Sequence, residues 1–184
     1  DNPPGWLDLR FKFPICHRII TISEGIRTVL RQAGVPHSQL RCVLSAVDTE
    51  RYRPAVSAQP IRESLGIQPG LKVIAVVAQL IQRKGHHVLL DALPAVLRQH
   101  PNICVLVFGK GPLESALKAR VAAMGLNSQV RFEGFRTDMD KVLPAMDMVV
   151  HPALMEGLGV SLLEAAASGV PIIASRAGGM PEIV

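Results

Sequence analysis

Residues 151–184, His-Pro-Ala-Leu-Met-Glu-Gly-Leu-Gly-Val-Ser-Leu-Leu-Glu-Ala-Ala-Ala-Ser-Gly-Val-Pro-Ile-Ile-Ala-Ser-Arg-Ala-Gly-Gly-Met-Pro-Glu-Ile-Val, decide the fold. The apolar run Met148–Val150 leads into a loop carrying Glu156, Gly157 and Gly159. A helix then opens near Val160 and Ser161, carries Glu164 and stops at Gly169. A second strand, Pro171–Ala174, runs into the small-residue turn Ala177-Gly178-Gly179, with Glu182 behind it. Glycines let a backbone come close to a ligand. The first turn of a helix offers unpaired N–H groups and the positive end of a dipole, which suit a phosphate. Carboxylates beside such a seat repel phosphate, so Glu156 and Glu164 are placed to accept hydrogen bonds from neutral hydroxyls. A phosphate seat ringed by hydroxyl acceptors fits a sugar nucleotide.

The same pattern extends back to Leu71. Apolar runs at Val73–Val77, Ile103–Phe108, Gln129–Phe132, Met148–Val150 and Pro171–Ala174 alternate with helical stretches near 85–99, 112–124, 138–146 and 159–168. Such alternation predicts βαβ units and an α/β fold: a Rossmann-like parallel sheet with helices on both faces. Pro94 falls inside the first of these helices and predicts a kink or break there. Ligands of such sheets sit beyond the carboxyl ends of the strands. Five loops meet at that edge: Gln79–Gly85, Gly109-Lys110-Gly111, Gly134-Phe135-Arg136, Pro152–Gly159 and Ser175–Gly179. Gly109-Lys110-Gly111-Pro112 is no dinucleotide fingerprint, because Glu114 stands where the third glycine belongs. His86-His87 has no Cys or carboxylate at ligand spacing and reads as helix surface, not a metal site. His151, before Pro152 at a strand end, is either a structural cap or a wall of the cleft.

Glu156 and Glu164 are separated by seven residues, with Gly-Leu-Gly after the first and Glu-Ala-Ala-Ala-Ser-Gly-Val-Pro from the second. This run closely resembles the signature of the family 4 retaining glycosyltransferases, whose GT-B fold sets two Rossmann-like domains across a cleft. The resemblance covers residues 18–184 and is most specific from 147 onward. It implies transfer of a sugar, with retention, from a nucleoside diphosphate sugar to an acceptor hydroxyl in polysaccharide or glycolipid synthesis. No metal and no other cofactor is implied. By the resemblance, Lys84 and Glu156 are the catalytic pair. Lys84, at a Lys-Gly step opening a helix, stabilises the leaving diphosphate together with a helix N-terminus. Glu156 takes hydroxyls of the donor sugar, and Glu164 those of the ribose. The N–H groups of Gly157, Leu158 and Gly159 would hold the sugar, and those of Val160 and Ser161 the phosphates. Gly109 borders the donor, and Phe135 lies where the resembled enzymes hold the nucleobase. The family's arginine five residues before the lysine is Gln79 here, so one charge on the diphosphate is missing or comes from Arg83.

The first third of the chain is less regular. Residues 1–17 read as irregular lead-in, and Arg18–Ile22 as a buried strand. Ser23 caps a helix that Gly34 stops, and Leu40–Leu44 forms a second strand. Thr49–Pro60, polar and with two prolines, reads as a linker. Thr21-Ile22-Ser23-Glu24, then Val47-Asp48 through Tyr52-Arg53-Pro54, resemble the end of the family's acceptor domain and its hinge, with Ser45-Ala46 in place of Asn-Gly. The expected division is 1–48, the end of an acceptor-binding domain; 49–60, a hinge; and 61–184, an incomplete donor-binding domain. The chain starts at Asp1 and ends as a helix begins, so it reads as part of a longer protein, and this part alone is expected to bind donor weakly and turn over little.

Composition narrows the classes. A hydrophobic content of 48% against 19% charged residues excludes a disordered chain. Aromatics at 4% argue against nucleic-acid binding by base stacking. The net charge of +5 comes from scattered residues and means an ordinary surface with some preference for anions. No apolar run reaches the roughly 18 residues of a membrane span, and no signal-peptide pattern is present. The expected location is cytoplasmic, with peripheral contact at the inner face of a membrane through other parts of the protein. Cys16, Cys42 and Cys104, odd in number and without CxxC spacing, are expected as buried reduced thiols. Two other classes share the fold: a non-catalytic sugar-nucleotide-binding scaffold and a sugar-nucleotide epimerase.

Overall fold

The computed structural model describes residue 5 and residues 8–184. Residues 1–4, 6 and 7 of the lead-in lie outside the described residues; the rest of it forms short helical turns, Asp8–Lys12 and Phe13–Ile15. Strands β1 (Ile19–Thr21) and β2 (Leu40–Cys42) pair in parallel, joined by helix α1 (Glu24–Gln32). Ser23 caps α1 as its sequence predicts, its Oγ accepting from the Ile26 N–H at 3.1 Å. Both strands are shorter than expected, and β1 is not fully buried: Ile20 is 67% exposed. A sheet of two strands buries one face, and here that face carries Thr21 and Leu40.

The linker is also shorter than the reading made it. Asp48 turns the chain by accepting from the Glu50 and Arg51 N–H groups, at 3.0 and 3.1 Å. Helix α2 (Gln59–Ser64) then begins inside the expected linker, with Pro60 in its first turn, where a missing N–H costs nothing.

The remaining elements are β3 (Lys72–Val77), α3 (His86–Gln99), β4 (Ile103–Phe108), α4 (Glu114–Ala123), β5 (Val130–Gly134), α5 (Met139–Val142), β6 (Met148–His151), α6 (Val160–Ala167) and β7 (Ile172–Ala174). Five parallel strands form one sheet in the order β5-β4-β3-β6-β7, the parallel α/β sheet that the alternation predicts. β4 shows why both faces are covered. Cys104, Leu106 and Phe108 join a core with Val142 of α5 and Leu162 of α6. Val105 and Val107, one step out of phase, pack with Leu90 of α3 and Leu117 of α4. Each such side chain stabilises the fold by about 1.5–3 kcal/mol when fully buried.

Two prolines act differently from each other. Of the kink or break expected at Pro94, the break does not occur: α3 runs through it, and Leu90 and Leu93, 3% and 1% exposed, anchor the helix around the missing hydrogen bond. Pro144 does end α5, and Leu143–Ala145 continues as a 3-10 turn where one helix over 138–146 was expected. The thiols also depart from expectation. Cys104 is buried, whereas Cys16 and Cys42 are only half-buried; all three are free.

Chain order explains where a site can form. From β3 the chain moves outward to β4 and β5, then returns to β6 on the other side of β3. Connections leaving β3 and β6 therefore diverge and open a crevice at the carboxyl ends of these strands. At the amino ends lies a groove of about 820 Å³ lined by Ile74, Leu93, Val150 and Ile173. It is apolar, and its Lys72 and Asp147 are engaged with each other at 2.9 Å.

Candidate functional site

The loops after β3 and β6 are braced against each other. The Arg83 carbonyl accepts from the Leu154 and Met155 N–H groups, at 2.8 and 3.3 Å. Gly85 adopts φ +68°, and a Cβ there would collide with the Pro152 carbonyl oxygen. Only glycine permits this approach. It brings together two residues 72 positions apart, Lys84 and Glu156.

Lys84 Nζ is ion-paired with Glu156 Oε2. The side chains are 12% and 11% exposed. His151 Nε2 lies 2.9 Å from the same oxygen, and the Gly157 N–H donates to Oε1 at 3.1 Å. Burial would raise the Glu156 pKa, but the hydrogen bonds from His151 and Lys84 and their nearby charge outweigh it and hold the carboxyl at about 2.

Contacts from outside the loop fix its backbone. The Gly179 N–H donates to the Glu156 carbonyl at 3.3 Å, and a Cβ on Gly178 would strike that same oxygen. Ser23 Oγ donates to the Gly157 carbonyl at 2.7 Å. The Glu182 carboxylate, whose role the sequence left open, accepts from the Glu24 and Gly25 N–H groups at 2.9 and 2.7 Å. It thereby caps α1, and the N-terminus of α1 abuts the loop that carries Glu156.

His86 is a correction. Read as helix surface, it is 5% exposed, because the approach of Gly85 to Pro152 shuts the first turn of α3 in. Neither of its ring nitrogens has a hydrogen-bond partner among the described residues. Burial first, then the neighbouring His151, His87 and Lys84, push its pKa down to about 4. His151, for which two roles stood open, is also buried, at 2% exposure, and stands behind Glu156.

A cavity of about 770 Å³ lies beside this cluster, lined among others by Tyr52, Gln79, Gly109, Phe135, Arg136 and Glu164. Lys84 and Glu156 do not line it. Phe135, 66% exposed, presents its ring at the rim and is not packed in the core. Burial raises the Glu164 pKa, more than Tyr52 and Arg51 lower it. Burial, then Glu164, pushes the Tyr52 phenol up to about 12. Arg51 stacks over the Tyr52 ring, 5.5 Å from its centroid, and pairs with Asp140 at 3.2 Å. Sequence reasoning placed Arg51 and Tyr52 in a hinge and missed them as cavity residues. Their aromatic–cation pairing in an otherwise aromatic-poor chain was the available signal.

α6 joins the two parts. Its N-cap is Gly159, at φ +94°, and no side chain caps the helix. Its first residues, Val160 and Ser161, follow the Glu156 loop directly, and Glu164, one turn on, lines the cavity. Gly157, Leu158 and Gly159 are buried in the turn between. Among the described residues no group of three or more His, Cys, Asp or Glu is placed to hold a metal ion. No described helix is long and apolar enough to cross a membrane.

Known proteins share this sequence pattern and fold. The family model for glycosyl transferases group 1 matches residues 57–184. The chain is 36% identical over 174 residues to a GDP-mannose-dependent monoacylated alpha-(1-6)-phosphatidylinositol monomannoside mannosyltransferase of Corynebacterium glutamicum, covering 89% of this chain and 45% of the relative. It is 33% identical over 147 residues to a lipopolysaccharide core biosynthesis mannosyltransferase of Rhizobium meliloti, covering 77% of this chain and 42% of the relative. Its fold superposes with a TM-score of 0.89 on a crystal structure of Anabaena HepE in complex with UDP and glucose, at 26% identity, covering 98% of this chain and 51% of that one. The chain spans about half the length of these three proteins.

Proposed function

The chain belongs to the group 1 glycosyltransferases, and on that premise we propose that it is the donor-binding part of a family 4 enzyme that transfers a hexose with retention. The donor is a nucleoside diphosphate sugar and the acceptor a hydroxyl of a sugar or lipid-linked sugar. One observation carries the proposal: Lys84 and Glu156 meet at the crevice between β3 and β6, one short helix away from a cavity holding Glu164. The nucleoside occupies the cavity, with the base beside Phe135 and Gly109 and the ribose hydroxyls on Glu164. The diphosphate lies over the open N–H groups of Val160 and Ser161. The sugar reaches the loop Gly157–Leu158–Gly159 and Glu156.

Bond cleavage leaves negative charge on the diphosphate. The α6 N-terminus is fixed before the reaction, and Lys84 turns to the diphosphate as the donor binds, so both are in place to stabilise that charge when the bond breaks. These groups need no metal or further cofactor to do so. Residues 1–48 then form the end of an acceptor-binding domain and 61–184 most of the donor domain. The enzyme works in the cytoplasm, peripheral to the inner face of a membrane where its acceptor is a glycolipid.

Two mannosyltransferase relatives, one of them GDP-mannose-dependent, make GDP-mannose the first donor to test, and a HepE structure in complex with UDP-glucose makes that sugar nucleotide the second. Thermal melting against GDP, UDP, ADP and their sugar forms tests the proposal. A ligand at 100 times its dissociation constant adds about 2.7 kcal/mol. One nucleotide should raise the melting temperature, and Glu164→Ala should abolish the rise. A folded chain that no nucleotide shifts contradicts it. Gln79, exposed at the cavity rim in place of the family's arginine, favours a second reading, a sugar-nucleotide-binding scaffold. Donor binding without transfer in the full-length protein would establish that one.

A further inference from the structure

His151 ends β6, is 2% exposed, and faces Glu156 from behind. Its Nε2 is 2.9 Å from Glu156 Oε2, and its Nδ1 has no hydrogen-bond partner among the described residues. An ionised carboxylate only accepts, so the ring must carry its hydrogen on Nε2. Placing it on Nδ1 would bury a donor with no acceptor and set two lone pairs against each other. The charged or titratable groups around the ring are Glu156, Lys84 and His86.

Glu156 Oε2 is therefore shared between Lys84 and His151, while Oε1 takes the Gly157 N–H. Any N–H donor and share of charge that Lys84 gives to a diphosphate is withdrawn from this carboxylate. When a diphosphate draws the ammonium away, Glu156 stays about nine-tenths buried and loses its counter-charge. A buried anion left without partners protonates or turns away.

We propose that His151 is a positioning residue: it holds Glu156 in place when Lys84 moves to the diphosphate, so that the lone pairs Lys84 leaves become the acceptors for a sugar hydroxyl. This exchange of partners rests on the donor-site reading above and adds a residue and a sequence of events to it. His151 itself does not touch the donor. It acts through Glu156, and its effect appears only in ligands that carry the sugar.

The test is calorimetric titration of the 184-residue chain with GDP and GDP-mannose, and with UDP and UDP-glucose, for the unsubstituted protein, His151→Leu and His151→Gln. The nucleoside diphosphate should bind all three equally. The extra affinity contributed by the sugar should fall about tenfold in His151→Leu, the loss expected for a hydrogen bond to a charged group. It should return in His151→Gln, whose amide N–H reaches the same oxygen. Imidazole nitrogen NMR of the unsubstituted chain should show Nε2–H both before and after addition of the nucleotide sugar. An undiminished sugar contribution in a folded His151→Leu overturns the proposal. So does equal weakening of both ligands, failure of Gln to restore the sugar's share, or an Nδ1–H ring. If His151→Leu does not fold, the Gln variant and the NMR tautomer decide. If no nucleotide binds the unsubstituted chain, the donor-site reading falls and takes this proposal with it. If nucleotides bind and the sugar adds nothing, the partner exchange alone is overturned.

Discussion

Glu156 and Glu164 stand eight positions apart on one loop–helix unit, and their surroundings drive them in opposite directions. Both are partly buried, and burial raises both pKa values. At Glu156 the donors His151 and Lys84 outweigh burial and hold the group at about 2. At Glu164 a neutral phenol and the more distant Arg51 offset burial only in part, and the group remains raised. Donor supply, not enclosure, separates them. Glu156 is a fixed anion tied into a charge cluster. Glu164 is an acceptor at the wall of an open cavity, suited to neutral hydroxyls.

The largest effect that could break this contrast is removal of the Glu156 charge. Glu156→Gln leaves Lys84 buried without its counter-ion and should cost about 3 kcal/mol in denaturant unfolding at pH 7. Adding Lys84→Met should recover most of that loss. Strict additivity of the two substitutions would show that the pair is not coupled.

Acid should act next. Glu156 has a folded pKa of about 2 against 4.5 for the free group, so its contribution is complete above 4.5 and is lost as pH falls towards 2. His86 is held neutral, at about 4 against 6.5, so its contribution is complete above 6.5 and is lost between 6.5 and 4. Each amounts to roughly 3 kcal/mol. Stability measured against pH should therefore decline in two stages on acidification. A flat profile from pH 7 to 3 would contradict both assignments.

A smaller effect isolates the upper stage. His86→Leu removes two buried nitrogens that lack partners and should stabilise the chain by about 1 kcal/mol at pH 7, and by more at pH 5. A destabilised variant would mean that the imidazole has a partner in solution. The smallest effect belongs to Glu164. Its raised pKa favours the protonated group in the fold, so stability from this group is present at low pH and lost as pH rises past its folded value. Glu164→Gln should leave the melting temperature at pH 7 unchanged or slightly higher, within about 0.5 kcal/mol, while nucleotide binding weakens. A drop comparable to that of Glu156→Gln would erase the distinction between the two carboxylates.

The spacing of short apolar runs such as Ile103–Phe108 between helical stretches carried the sheet, because local pattern and tertiary packing agree there. The loop from Pro152 to Gly159 was legible for the same reason: its glycines answer to local backbone demands. Lys84 and Glu156 were each visible as candidates, yet their bond was not. It depends on β6 lying beside β3, a neighbour relation that periodicity does not encode. The burial of His86 was hidden likewise, because the cover comes from Pro152, 66 residues later in the chain. Glu182 caps a helix 158 residues before it, and nothing local announces that contact. Pro94 differs again: helix propensity predicted a kink or a break, and the buried Leu90 and Leu93 keep the helix unbroken.

The most direct measurement is calorimetric titration of Glu164→Ala and Glu156→Gln with a nucleoside diphosphate and with its sugar form. If the cavity holds the nucleoside and the cluster meets the sugar, Glu164→Ala weakens both ligands by about tenfold or more. Glu156→Gln leaves the nucleoside diphosphate bound and removes the additional affinity that the sugar brings. Equal losses for both ligands in both variants, or a sugar contribution that survives Glu156→Gln, would contradict the division of the site.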